Sequence, residues 1–429
     1  MDMREAHAHI AALGESLTLP NLSACQSVDE CLAIVRRVSK QITDARAWVR
    51  LHSARVEGGA EQRWPTITEL DEACRESGSR PCVIRSFDHH AALANTAAMT
   101  AAGLKAGEVV APKGVVCADP ITGHATGMLL EDAASRAWNS APTPTSTEQQ
   151  AMVLAGLRAL SGLGFEEVHD LHSPTWLGPA LAHLERSGEL HVREVRLYPP
   201  ISALAHVYAE RAAWESTRVR LAGGKVFADG TLNSRTALML HPYREPLDGQ
   251  PCGRAMVTDG ELDRAIALTE SLGLHLAVHA IGDASVRMVL DSIERTATLR
   301  DPGNRHRIEH CELIDEADAH RFARLGVVCS VQPCHLLADV EVLTRQLPHR
   351  LHRVLPLRDL IESGCSPGAD DGLLWFGSDV PIVRADPGDS IQAAVKRRRQ
   401  SSPATEAIGL EQHLSEREAW MAFGVLKQS

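Results

Sequence analysis

The fold class this sequence predicts is α/β: a (β/α)8 barrel of the TIM type with a large insertion after its first strand. Three observations predict it. From residue 146 onward, helix-like and strand-like segments alternate regularly. The strand-like segments are too apolar to face water on either side. The 429 residues leave room for eight such units and an insertion.

The elements follow in chain order. The first strand is EAHAHI (5–10), and without it the strand count stops at seven. Helix-like VDECLAIVRRVSKQI (28–42) and strand-like CVIRSF (82–87) lie in the roughly 150 residues before the second strand. That is too much chain for a simple βα connection. The barrel takes 1–429, and 48–145 is an insertion between the first and second strands, folded over the mouth. SAPTPTST (140–147) is the returning linker, and a helix then starts with Thr147 and Gln150 spaced as a capping box. Strands follow at 165–170, 192–198, 223–230, 274–280, 305–311, 327–333 and 373–379. The helix before 274 carries Leu262, Ala265, Ile266 and Leu272 on one stripe.

Composition narrows the function classes. A net charge of -11 leaves no basic footprint for nucleic acid. The one basic run, Lys396–Arg399, is read as decoration on the solvated C-terminal end of a helix. No apolar run approaches the ~20 residues of a membrane span, and the first residues lack a signal peptide's apolar stretch. Ten cysteines without C-x-x-C are read as reduced core and loop thiols, and the expected compartment is the cytoplasm. The expected partner is a small-molecule substrate, with no nucleic acid and no membrane; homo-oligomer formation is left open.

Barrel enzymes carry their chemistry at the C-terminal ends of the strands. Here those ends offer His7 and His9, His169 and Asp170, Lys225, His279, His310, Gln332 and Asp379. A His-x-His arises by chance roughly once among 21 histidines in a chain this long, so His7 and His9 need partners downstream. Alternate residues on a strand share a face, so both can point inward. Four imidazoles and a carboxylate at one end make a nitrogen/oxygen site suited to zinc or a similar divalent ion. His275 and His306 are read as hydrogen-bonded bystanders. Lys225 is either a structural ion-pair partner or a neutral amine able to take up carbon dioxide as a bridging carbamate. Asp379 is a ligand, a general base, or a helix N-cap.

The stretches HAH, EVHD, GGKVFADGTLNSRTA, VHAIGDAS, RIEHCELI, SVQPCH and FGSDVPIV form a recognisable set. FDHHAALAN (87–95) and TGHATGMLLE (122–131) in the insertion add to it. With them the chain resembles the amidohydrolase superfamily, in the family 3 branch that includes N-substituted formamide deformylases. The resemblance implies a divalent metal, zinc foremost, as one ion or two. It implies His7, His9, His279, His310 and Asp379 as ligands, with Lys225 carboxylated between two ions. Asp379 would also shuttle protons, His169 would help stabilise an oxyanion, and Lys225 joins them as a catalytic group. His90, Asn95, Gln332 and His335 would line the substrate pocket. Relatives usually carry a small β-sandwich made from segments on either side of the barrel; both halves are expected to be missing or truncated here. Glu5 stands where aspartate is usual, and CSPGADDG (365–372) reads as extra loop.

The resulting expectation is a metal-dependent hydrolase of a C–N bond, amide or N-formyl, acting through metal-activated water. The alternative is a catalytically reduced barrel serving as a binding or regulatory protein.

Overall fold

The computed structural model describes residues 3–425 apart from 43, 45, 55–59, 62, 87–90, 111–113, 248, 299–304 and 369–371. The chain divides into two compact units. One comprises Met1–Leu13 with Gln149–Ser429, and the other is Gly14–Glu148.

The larger unit is α/β with parallel sheets. Its strands among the described residues are β1 (Met3–Ala8), β2 (Phe165–Leu171), β3 (Glu194–Tyr198), β4 (Val219–Leu221), β5 (Gly223–Phe227), β6 (His275–Ala280), β7 (Arg307–His310), β8 (Val328–Val331) and β9 (Leu374–Phe376). They form two sheets, β1-β2-β3-β4 and β5-β6-β7-β8-β9, parallel at every pairing. EAHA of this stretch thus lies on a strand that is buried along its whole length, His9 follows it half-buried, and the helix Ile10–Thr18 starts at the last residue of the stretch.

Among the described residues, single bridges and no ladder link the edges of the two sheets. Pro200 bridges Lys225, and Ala8 bridges Val380. At the first seam Lys225 N–H donates to Pro199 O at 2.8 Å. Pro199 and Pro200 have no N–H to return, which stops the ladder there. β4 and β5 are separated by Ala222 alone, whose N–H donates to Leu197 O at 3.0 Å. The strand expected at 223–230 is therefore preceded by an extra short strand, and it ends at Phe227.

Alternating apolar residues drive these elements together. Val168, Val195, Leu197, Leu276, Val278, Ile308, Val328 and Phe376 are buried in one core with helix residues such as Leu262, Ile266, Val286 and Leu290. Side-chain capping sets helix starts. The helix Ser146–Gly162 begins two residues earlier than the expected capping box requires. Thr145 and Glu148 form that box: Thr145 N–H donates to the Glu148 carboxylate at 2.7 Å, and Glu148 N–H donates back to Thr145 Oγ1 at 3.4 Å.

The basic run differs from its expected role. Lys396 ends the helix Pro387–Lys396, but Arg397 is fully buried in a left-handed cap at φ 57. Its guanidinium donates to the carbonyls of Ile408, Leu355 and Val354. Arg399 donates to Leu337 O and pairs with Glu341. The carbonyls they reach belong to other segments, at Val354, Leu355 and Ile408 and inside the helix Pro333–Gln346, and not to the end of this helix.

The smaller unit has a six-stranded mixed sheet, running 49–54, 82–86, 91–94, 125–130, 114–118 and 109–110 in spatial order. It starts at Gly14, ahead of the expected boundary at 48. The helix Val28–Gln41 buries Val28, Cys31, Leu32 and Val35 against Val49, Leu51, Leu70 and Ile84, so its apolar face belongs to this unit's core. Among the described residues no helix is long and apolar enough to cross a membrane.

Candidate metal centre

The strand ends of the larger unit gather imidazoles and carboxylates. His7 is buried on β1. Its Nδ1 lies 2.8 Å from Glu309 Oε2 and its Nε2 3.4 Å from Asp379 Oδ1. Glu309 only accepts, so it holds the proton on Nδ1 and leaves the Nε2 lone pair facing the site. His9, just past the strand, puts Nε2 2.9 Å from the same Asp379 oxygen. The His310 ring lies 4.9 Å from that of His7 and 4.5 Å from that of His279. One donor atom each from His7, His310 and Asp379 fits within 4.8 Å of the others, and all three residues are buried.

The electrostatics suit a cation. Burial pushes the His7 imidazole down to about 4, against the pull of Asp379, and the His279 imidazole to about 3. His310 also falls well below its ordinary value, first through burial and then through His279 and His7. These three rings are neutral near pH 7, as metal ligands must be. Burial by itself would raise the Asp379 carboxyl, but His7, His9 and His310 hold it far down, so it stays an anion. Lys225 is buried, which lowers its amine to about 8. Among the described residues, its Nζ and the Nδ1 of His310 are buried without a hydrogen-bond partner. Buried polar atoms are nearly always satisfied, and a cation accounts for an orphaned imidazole lone pair among neutral rings. The donor set fits a divalent metal.

The backbone is strained here. His310 and Asp379 adopt φ 74 and φ 64, left-handed values that cost a non-glycine residue about 1–3 kcal/mol. On a regular strand Glu309 and His310 would point to opposite faces. The left-handed turn at His310 brings its ring back beside His7, although Glu309 also touches His7.

A buried charge network supports the site. Arg307 grips Glu309 with two nitrogens and donates to Ala6 O at 2.6 Å, Ser330 Oγ at 2.8 Å and His169 Nδ1 at 2.7 Å. Glu5 Oε1 accepts from the N–H groups of His7 at 3.0 Å and Ser378 at 2.8 Å. The longer side chain thus ties β1 to the segment bearing Asp379. Asp379 N–H donates to His7 O, and His9 N–H to Val380 O.

The other expected site residues fall as follows. His279 Nε2 turns to Gly230 O at 3.0 Å. Gln332 lies against His7, with Nε2 3.3 Å from its Nδ1. His335 Nε2 stands 3.8 Å from Asp379 Oδ2. His169 differs from its expected role: Glu167 and Arg307 engage both ring nitrogens, so no N–H is left for an oxyanion. Asp170 accepts from Ile10 N–H at 2.6 Å. Asn95 belongs to the smaller unit and is spent on structure. Its Oδ1 accepts from Ala98 and Cys82, and its Nδ2 donates to Arg80 O. His90 lies outside the described residues. His275 bonds Tyr198 and His306 bonds Leu276 N–H, both structural.

Sequence reading missed Arg307, Glu309, Glu312 and His172. Arg307 and Glu309 alternate on a strand otherwise read only for His310. Two charges two residues apart on a buried strand were the available signal. His172, its ring 5.4 Å from Phe227, follows a strand that runs to Leu171, one residue past the expected end.

Comparison with known proteins agrees with this geometry. The profile of the amidohydrolase family matches residues 3–423. YtcJ of Bacillus subtilis (strain 168) is 26% identical over 410 residues, covering 92% of this chain and 72% of its own. An N-substituted formamide deformylase of Arthrobacter pascens is 23% identical over 422 residues, covering 94% and 74%. The crystal structure of an uncharacterized metal-dependent hydrolase from Pyrococcus horikoshii OT3 superposes with a TM-score of 0.78 at 26% identity. That match spans 98% of this chain and 79% of the other. A matched profile spanning nearly the whole sequence, over strand ends that bring His7, His310 and Asp379 together, places this chain in the amidohydrolase family.

Proposed function

We propose that this protein hydrolyses a C–N bond, amide or N-formyl, in a small molecule, using a divalent metal held at the ends of its parallel strands. The observation that carries the reading is the buried meeting of His7, His310 and Asp379, with the His310 Nδ1 left without a hydrogen-bond partner among the described residues. His9, His279 and Lys225 complete the proposed ligand set, and zinc suits its imidazole and carboxylate chemistry. The two parallel sheets are read as the halves of one (β/α)8 barrel. The bridges at Pro200–Lys225 and Ala8–Val380 support that reading.

A divalent ion held by these residues would supply Lewis acidity and would bring the pKa of a nearby water toward ~7. Asp379, an anion beside three imidazoles, takes the proton released as water attacks the carbonyl. It then returns that proton to the departing nitrogen. Glu309 keeps the His7 proton on Nδ1, and Glu5 holds the first strand against the segment of Asp379. Lys225, lowered to about 8, carries a neutral fraction at pH 7 that can take up carbon dioxide. Gln332 and His335 line the substrate side. The N-formyl preference draws on the relationship to the Arthrobacter deformylase. A purely binding role has no counterpart in the donor set, which retains every expected histidine and Asp379.

The test is a panel of N-formyl and N-acyl amines with zinc supplied, scored by released amine. Asp379→Asn should lower kcat by about 10²–10⁴-fold, the usual worth of a positioned general acid–base. Unchanged turnover in Asp379→Asn and His7→Ala refutes the mechanism.

A further inference from the structure

At the same strand ends stand two rings that the proposed chemistry does not use. Phe227 is the last residue of β5 and pairs in register with His279 on β6. Lys225 and Phe227 share a face of β5, and the Lys225 Nζ lies 5.3 Å from the centre of the phenyl ring. The centre of the His279 ring is 5.1 Å away. Against Phe227 stands His172, the residue after β2, with ring centres 5.4 Å apart and planes crossing at 77°. We propose that His172 and Phe227 form an aromatic corner that seats a planar, aromatic substituent of the substrate. The proposal rests on the hydrolase reading above and names the class of amide it prefers, one that carries an uncharged aromatic ring.

A single exposed apolar side chain needs no explanation. Phe227 is different because of where it stands and what meets it. It is 36% exposed, while its register partner His279 is 6% exposed, so its ring reaches from the layer of the proposed ligands into open space. His172 holds a left-handed backbone at φ 60, and strain of this kind collects at binding sites. Its ring is exposed and, among the described residues, makes no hydrogen bond. The structural imidazoles of this unit behave otherwise: His275 bonds Tyr198 and His306 bonds Leu276 N–H. His172 instead touches Phe227 and interacts electrostatically with His9 and Lys225, which places it beside the metal centre.

The crossing angle selects the guest. Two nearly perpendicular rings offer a third ring a stacked contact with one wall and an edge-to-face contact with the other. Both contacts match the electron-poor edge of one ring to the electron-rich face of the next. A saturated ring of the same size covers the same apolar area but has no such face. An aromatic pair therefore favours the aromatic guest by about 2- to 12-fold beyond what area alone gives.

The experiment compares N-formyl 2-phenylethylamine with N-formyl 2-cyclohexylethylamine on the full chain, by two readouts. One is kcat/KM with zinc supplied. The other is calorimetric affinity for the chelator-stripped protein, which needs no turnover. Wild type should favour the phenyl compound by about 2- to 12-fold in both. Phe227→Leu keeps apolar bulk and should bring both ratios close to one. His172→Asn suits the left-handed backbone and should lower both ratios, acting on KM rather than kcat. Zinc affinity of Phe227→Leu, read by competition, should match wild type. A ratio near one in wild type, or an undiminished ratio in both variants, overturns the corner, and turnover of the two amides then leaves the hydrolase reading standing. Phenyl preference in binding with no turnover of either amide supports the corner and counts against the hydrolase reading. Lost zinc affinity in Phe227→Leu, with equal losses for both amides, makes Phe227 a brace for His279 and overturns the corner.

Discussion

Glu309→Gln removes a charge while keeping the shape, and its consequences can be worked from the contacts. Glu309 is fully buried, receives the His7 Nδ1 proton at 2.8 Å, and faces two nitrogens of the fully buried Arg307. A glutamine amide has one oxygen and one NH2 group. If the oxygen faces His7, the NH2 meets the guanidinium, donor against donor. If the oxygen faces Arg307, the NH2 meets His7, whose proton must move to Nε2, the atom facing Asp379. Either orientation leaves the Arg307 cation buried without its counter-ion, and breaking such a pair costs about 3–5 kcal/mol. The second orientation also masks a ligand atom, and loss of a carboxylate behind a ligating histidine weakens metal affinity about 10–100-fold. Urea denaturation of the chelator-stripped protein should report the first effect. Zinc competition against a chromophoric chelator should report the second. Stability within about 1 kcal/mol of wild type, together with affinity within about threefold, would refute both the ion pair and the tautomer argument.

Two further outcomes are expected. Burial raises the Glu5 carboxyl to about 7, so the folded chain binds this proton more tightly than the unfolded chain does. Stability therefore falls as pH rises from about 4.5 toward 7, and the full penalty, about 3 kcal/mol, applies above that window. Without metal, Glu5→Gln should match wild type near pH 4 and exceed it by up to about 3 kcal/mol at pH 8. A difference that does not grow with pH, in denaturation series on both proteins, would contradict this. Arg397→Ala removes the guanidinium from three carbonyls, of which Leu355 O keeps the Leu357 N–H, and should cost about 2–4 kcal/mol, whereas Arg399→Ala, at a half-exposed pair, should cost about 1. Equal urea midpoints for the two variants would return Arg397 to the solvated role read from sequence.

Much of the architecture was legible in the residue order, because it rests on local periodicity. Alternation marked the strands around Val168, Val278 and Val328. The helical stripe of Leu262, Ala265 and Ile266 marked its helix, and the motifs around His7, His310 and Asp379 pointed to amidohydrolase chemistry. Boundaries were less legible, since a cap depends on where the first turn closes. Thr145 and Glu148 form the box that spacing had assigned to Thr147 and Gln150.

By itself, then, the sequence determined the parallel α/β class, the family, and which strand ends carry imidazoles and carboxylates, because side-chain period and residue chemistry are written locally. Only the tertiary structure decided which of those groups meet. His169 looked available, yet Glu167 and Arg307, the latter 138 residues away, engage both its nitrogens. Glu309 looked like an ordinary strand residue, yet it reaches His7 across 302 positions. His310 joins the same cluster because its backbone turns left-handed, against the alternation that period two predicts. Contacts between distant residues, and a single dihedral that breaks a local rule, are set by the closing of the fold, and no window of sequence contains them.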